Sequence, residues 1–114
     1  QAVEACKQSS HPWRAEISAP VRFREWIERL PAPVDGELRL TGSLEFDAEP
    51  VAHLDFTKAS KVTWLIGPEG DLTSEEYAAA RAAGFRPVVL GPTVLRAENA
   101  ALACVAITQA LAKR

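Results

Sequence analysis

The clearest hydrophobic rhythm lies in the second half of the chain. "KVTWLI" (Lys61 to Ile66) is a short, nearly continuous apolar run of the kind a buried strand carries, and "RPVVLG" (Arg86 to Gly91) is another. Between them, Thr73 with Glu76 three residues later forms a capping box. Ala78 to Ala83 follows as strong helix-forming sequence, ended by Gly84 with Phe85 behind it, so a helix is predicted over 73–83. "LRAENAALACVAITQALAKR" predicts a final helix from about Arg96 to Lys113. The first half is less regular. Gln1 to Gln8 reads as the end of a helix, closed by Ser9, Ser10 and Pro12. A second helix should follow "SAP", with Ser18 as N-cap, Pro20 in the first turn, and Phe23, Trp26, Ile27 and Leu30 at helical spacing. "PAPVDG" breaks that pattern, "ELRLTG" (Glu37 to Gly42) alternates like a half-exposed strand, and residues 43–60 read mostly as loop. Strand, helix, strand, helix in units this short predicts an α/β fold with parallel strands.

Composition narrows the classes this fold can serve. A chain of 114 residues with 47% hydrophobic content supports one core and one domain. Its 13 basic against 15 acidic side chains leave a net charge of −2, so any nucleic-acid contact has to be local or supplied by another domain or subunit. Cys6 and Cys104 form no CxxC pair, and neither His11 nor His53 sits in a metal-ligand spacing; no disulfide framework and no metal site are expected. The longest apolar run, Ala100 to Ile107, is far shorter than the roughly 18 residues a membrane span needs. A cytoplasmic setting is expected. The chain opens on Gln1 in mid-pattern and contains no methionine, which reads as a fragment of a longer polypeptide.

In parallel α/β sheets, ligands bind beyond the carboxyl ends of the strands. Two loops with related grammar stand at such positions: Gly67-Pro68-Glu69-Gly70 after one strand, and Gly91-Pro92-Thr93-Val94-Leu95-Arg96 after the next. Each sets a glycine at the strand end, where a missing Cβ lets a ligand approach the backbone, and stiffens the loop with proline. Neither is a GxxxxGK[ST] or GxGxxG loop, which argues against a triphosphate or dinucleotide. The first loop reads equally well as a plain strand-to-helix turn. The second is more pointed, because Arg96 falls near a helix N-terminus, where the macrodipole disfavours a cation by a few tenths to about 1 kcal/mol, while Glu98 is favourably placed. A solvated Arg96 partly neutralised by Glu98 is the competing reading. Ala100 to Ile107 leave the last helix no polar face over about two turns, so it is covered on more than one side, either within its own core or by a second subunit.

Taken together, "LIGPEGDLTSEEYAAARAAGF" and "VVLGPTVLRAENAALA" resemble the ribosomal RNA small-subunit methyltransferase E family, a branch of the SPOUT methyltransferases. The specific part spans about Val62 to Cys104, with "EACKQSS" (Glu4 to Ser10) as a weaker upstream signature. The resemblance implies a SPOUT-type, mostly parallel sheet with helices on both faces and a C-terminal trefoil knot around an S-adenosyl-methionine pocket. It implies that residues 1–114 are the C-terminal part of the methyltransferase domain, and that the family's N-terminal RNA-binding barrel is absent from this chain. It further implies a homodimer packed through the last helix, and small-subunit ribosomal RNA or the assembled small subunit as substrate.

Carried over by position, the resemblance sets Gly67, Leu90, Gly91 and Leu95 around the cofactor, with Thr41 from a third loop. It implies methylation of N3 of a uridine in 16S ribosomal RNA, with Arg96 stabilising the imide anion and Glu98 orienting Arg96 or sharing in proton removal. The chain departs from the family pattern at Ser10, His11, Asp71, Ala97 and Asn99, positions that the resemblance sets toward the target rather than the cofactor. A paralogue that binds cofactor or RNA with a different target, or without this activity, is therefore the alternative reading.

Overall fold

The computed structural model describes residues 2–9, 14–42, 49–67, 72–89 and 97–112. Its strands are β1 (Ala2–Ser9), β2 (Arg14–Ile17), β3 (Val21–Arg22), β4 (Glu37–Gly42), β5 (Glu49–Pro50), β6 (Lys61–Ile66) and β7 (Arg86–Val89). Its helices are α1 (Phe23–Arg29), α2 (Ser74–Ala82) and α3 (Ala97–Ala112), with a 3-10 turn at Val51–His53. Strand order is β2-β1-β6-β4-β7-β5, with β3 beside β1. The pairs β4 with β6, β4 with β7 and β5 with β7 are parallel, whereas β1 joins β2, β3 and β6 antiparallel.

The sheet is covered on both faces. Cys6, Leu40, Val62, Trp64 and Val88 form one core cluster with Cys104 of α3, on which Val105, Ile107 and Leu111 also pack. On the other face, Val3 and Leu65 meet Phe23, Tyr77, Ala80 and Phe85, with Trp26 and Ile27 of α1 and its C-cap Leu30 at the margin. Successive residues of a strand point to opposite faces, so Leu65 serves one core while Trp64 and Ile66 serve the other. Trp64 also donates its indole N–H to the Thr108 hydroxyl at 2.9 Å, a wholly buried link from β6 to α3.

Several expectations are met almost residue for residue. β4 and β6 have the bounds their patterns predict, and α2 carries the capping box, Thr73 accepting from the Glu76 amide and Glu76 from the Thr73 amide. At the other end Gly84 has φ +93°, its N–H donates to Arg81 and the Phe85 N–H to Ala80, which is a Schellman cap. Thr73→Ala should lower stability by about 1 kcal/mol, and Thr73→Ser should restore most of it, as read by urea denaturation.

Three expectations are corrected. The helix end expected over Gln1 to Gln8 is strand β1, because six residues from Glu4 to Ser9 pair in register with Ile66 to Lys61. The second helix starts at Phe23 rather than after Ser18, and its N-cap Arg22 makes no side-chain cap. Ser18 instead accepts the Ala5 amide on its hydroxyl at 2.9 Å, while its own amide donates to the Ala5 carbonyl. Finally, β4 is not half-exposed but central, and its charged pair Glu37 and Arg39 is buried. Residues 90–96, which the expected knot would involve, lie outside the described residues, as do Ser10 to Trp13.

Candidate functional site

Because β4 runs parallel to both β6 and β7, the three strands end at one edge of the sheet. β4 leaves at Gly42, β6 at Ile66 and β7 at Val89, so the exit of β4 lies between the strand ends that lead into the two glycine-proline loops. Thr41 stands opposite Leu65, and Gly42 opposite Val88. This brings Thr41 and Gly67 to the same edge. Leu90, Gly91, Leu95 and Arg96 lie outside the described residues, and Glu98 is placed only as the second residue of α3.

Gly67 is explained first by its neighbour. A Cβ at 67 would come within 3.2 Å of Leu72 Cγ and Cδ2, so Gly67 lies close against Leu72, which is itself part of the core beneath α2. The capping box then fixes the start of α2 immediately after it. Thr41 is buried, and its hydroxyl donates to the Leu65 carbonyl at 3.0 Å, so what it offers a ligand is backbone. Sequence reasoning missed Tyr77, whose hydroxyl donates to the Gly42 carbonyl at 3.4 Å from a ring buried in the second cluster. The upstream stretch "EACKQSS" is divided by the fold: Glu4 reaches this edge opposite Ile66, while Gln8 sits opposite Val62 nearer the other end of β6. Gln8 is fully buried and donates to the Cys104 carbonyl at 3.5 Å.

The two cysteines, distant in sequence, meet in the core under α3, and both are free thiols. Burial pushes the Cys6 thiol up, and burial together with the neighbouring Cys6 pushes Cys104 up to about 12, so both stay neutral and unreactive. Among the described residues no group of three His, Cys, Asp or Glu side chains is placed to hold a metal ion, and no helix is long and apolar enough to cross a membrane.

A family model for the RNA methyltransferase domain matches residues 1–109. The chain belongs to the RNA methyltransferase domain family. Within that family it is 31% identical over 108 residues to the ribosomal RNA small subunit methyltransferase E of Synechocystis, covering 95% of this chain and 36% of that protein. It is 32% identical over 106 residues to the protein of that name in Aquifex aeolicus, covering 92% of this chain and 43% of the relative. The chain thus spans well under half the length of these curated relatives. The structure is similar to the crystal structure of the Neisseria gonorrhoeae ribosomal RNA small subunit methyltransferase E bound to S-adenosyl methionine, with a TM-score of 0.63 at 30% identity over 80% of this chain and 36% of that one. The resemblance read from the two glycine loops is borne out as to family, and the mixed α/β sheet as to fold.

Proposed function

We propose that this chain binds S-adenosyl-methionine at the edge where β6, β4 and β7 end, and that it serves in methylating N3 of a uridine in small-subunit (16S) ribosomal RNA. The observation that carries the reading is the placement of Thr41, Gly42 and Gly67 at one edge of parallel strands in a chain of the RNA methyltransferase domain family. The donor set fits the group: backbone amides and carbonyls at the ends of parallel strands suit the flat, hydrogen-bonding edge of an adenosyl moiety. In this reading Gly67, Leu90, Gly91 and Leu95 line the cofactor, and the backbone of Thr41 contributes from β4. A C-terminal trefoil knot would close the pocket. Residues 1–114 would then form the C-terminal part of a SPOUT methyltransferase domain, with an RNA-binding barrel elsewhere in the longer protein, acting in the cytoplasm.

When bound, S-adenosyl-methionine supplies an electrophilic methyl group. The chain's own task is to make the uridine nitrogen a nucleophile. Arg96 stabilises the imide charge that develops as the N3 proton leaves, and Glu98 orients Arg96 or accepts that proton. Homodimerisation through α3 is supported by its composition: Ala106 and Ala110 are exposed while Val105, Ile107 and Leu111 are half-buried, leaving an apolar face of small residues. A monomeric mass in sedimentation at micromolar concentration would exclude that dimer.

Calorimetric titration of S-adenosyl-methionine into the folded protein tests the cofactor reading. Saturable binding near one site per chain is expected, and a folded protein giving no binding overturns it. Ser10, His11, Asp71, Ala97 and Asn99 support a second reading, a paralogue with a different RNA target. Cofactor binding without methyl incorporation into small-subunit RNA would favour that one.

A further inference from the structure

We propose that Tyr77 is a positioning residue for the cofactor, its phenol hydroxyl fixing the place where the chain leaves β4 between the two glycine-proline loops. The inference rests on the reading that the cofactor occupies this edge. A ligand that reaches the turns after both β6 and β7 has to pass over the end of the strand between them, and that strand is β4. The last residue of β4 is Gly42, which has no side chain with which to anchor itself. Its neighbour Thr41 spends its hydroxyl proton within the sheet, on the Leu65 carbonyl. Tyr77 supplies an anchor from outside the sheet, by donating to the Gly42 carbonyl.

The anchor is stiff at its other end. Tyr77 is 5% exposed and packs in one cluster with Phe23, Leu72, Ala80 and Phe85, so the hydroxyl stands at the tip of a lever whose two torsions are set by packing. Tyr77 lies in the first turn of α2, its amide donating to the Thr73 carbonyl, and α2 begins at the capping box that follows Leu72. Leu72 in turn lies under Gly67. One hydroxyl therefore ties the end of β4 to the helix whose N-cap follows Leu72, and Leu72 packs against Gly67 at the end of β6. At 3.4 Å the separation is longer than an ordinary O–H···O hydrogen bond, which holds its effect to a modest one.

Tyr77→Phe removes the hydroxyl and keeps the packed ring. With S-adenosyl-methionine as the titrant, the variant should bind about two- to threefold more weakly than wild type, the low end of what a single hydrogen bond contributes. Its melting temperature should fall by no more than about 3 °C, since the packed ring remains. Amide exchange over residues 40–42 should accelerate in the variant without any ligand present, a readout of the anchor that needs no cofactor. Wild-type affinity in Tyr77→Phe would overturn the inference and leave the cofactor reading intact. A lowered melting temperature with unchanged affinity would also overturn it, by showing a role in packing alone. If the folded wild-type protein binds no S-adenosyl-methionine, the cofactor reading fails, and this inference with it.

Discussion

Arg39→Met should lower the stability of the fold by about 3 kcal/mol, the cost typical of removing one partner from a buried ion pair. For a domain of this size that is a fall of roughly 12 °C or more in melting temperature. Arg39 lies in β4 with its side chain 3% exposed, paired at 2.9 Å with the 1% exposed carboxylate of Glu37. Its other donors reach the carbonyl of Ala83, at the end of α2, and that of Pro31, in the connection before β4. The guanidinium also lies 5.8 Å from the centre of the Phe85 ring. Methionine keeps the apolar stem but leaves a buried carboxylate and two carbonyls without this donor.

The penalty should depend on pH in a definite direction. Burial by itself would raise the Glu37 pKa; hydrogen bonds from Arg39, Thr63 and the Val34 amide, together with the charge of Arg39, outweigh it and hold the carboxyl below its usual range. A depressed carboxylate contributes stability above its unfolded pKa, about 4.3, and loses it as pH falls through the folded value. Without Arg39 burial prevails, the Glu37 pKa rises, and the charged form becomes the costly one. The gap between wild type and Arg39→Met should therefore narrow as pH is lowered from 7 through 4. In thermal melts, a gap that stays constant over that range would show that the lost carbonyl contacts, not the orphaned carboxylate, set the cost. The double variant Glu37→Gln with Arg39→Met should recover part of the loss at neutral pH, because the unpaired charge is gone.

This pair also shows where sequence reading stops. The alternation in "ELRLTG" correctly predicts a strand, but the charges on it suggest water, and only the fold reveals that carbonyls from Pro31 and Ala83 and the hydroxyl of Thr63 are waiting for them. Elements whose signals are local were legible: the capping box at Thr73 and Glu76, the positive φ at Gly84, the apolar run of β6. Elements defined by distant partners were not. Nothing within Gln1 to Gln8 says that it will pair with residues 61–66, and the register with β6 overrides its helical appearance. The site divides in the same way. The strand-end rule pointed to Gly67 and the family resemblance to Thr41, whereas the contact of Tyr77 with Gly42 depends on β4 being inserted between β6 and β7, an order that chain position does not reveal.

Arg96→Ala should reduce methyl transfer to small-subunit RNA by about 100- to 1,000-fold in kcat, the loss typical when one preorganised donor to a developing anion is removed. The expectation follows from the chemistry proposed for this edge. A uridine N3 proton is weakly acidic, so the barrier lies in accumulating negative charge on the imide. Arg96 directly precedes Ala97, the first residue of α3, and the positive end of that helix's dipole adds to the guanidinium's field. A cation at a helix N-terminus is unfavourable by itself, but the combination becomes favourable when an anion forms beside it. The effect therefore belongs to the transition state: kcat should fall while the dissociation constant for S-adenosyl-methionine stays within about twofold, since uniform binding is not what is lost. Arg96→Lys should restore part of the rate, because a point charge replaces some of the field but not the planar pair of donors. Full methylation by Arg96→Ala would remove Arg96 from the chemistry. A weakened cofactor affinity with unchanged kcat would move it to the pocket wall, and leave Glu98 as the residue whose pH profile has to be measured next.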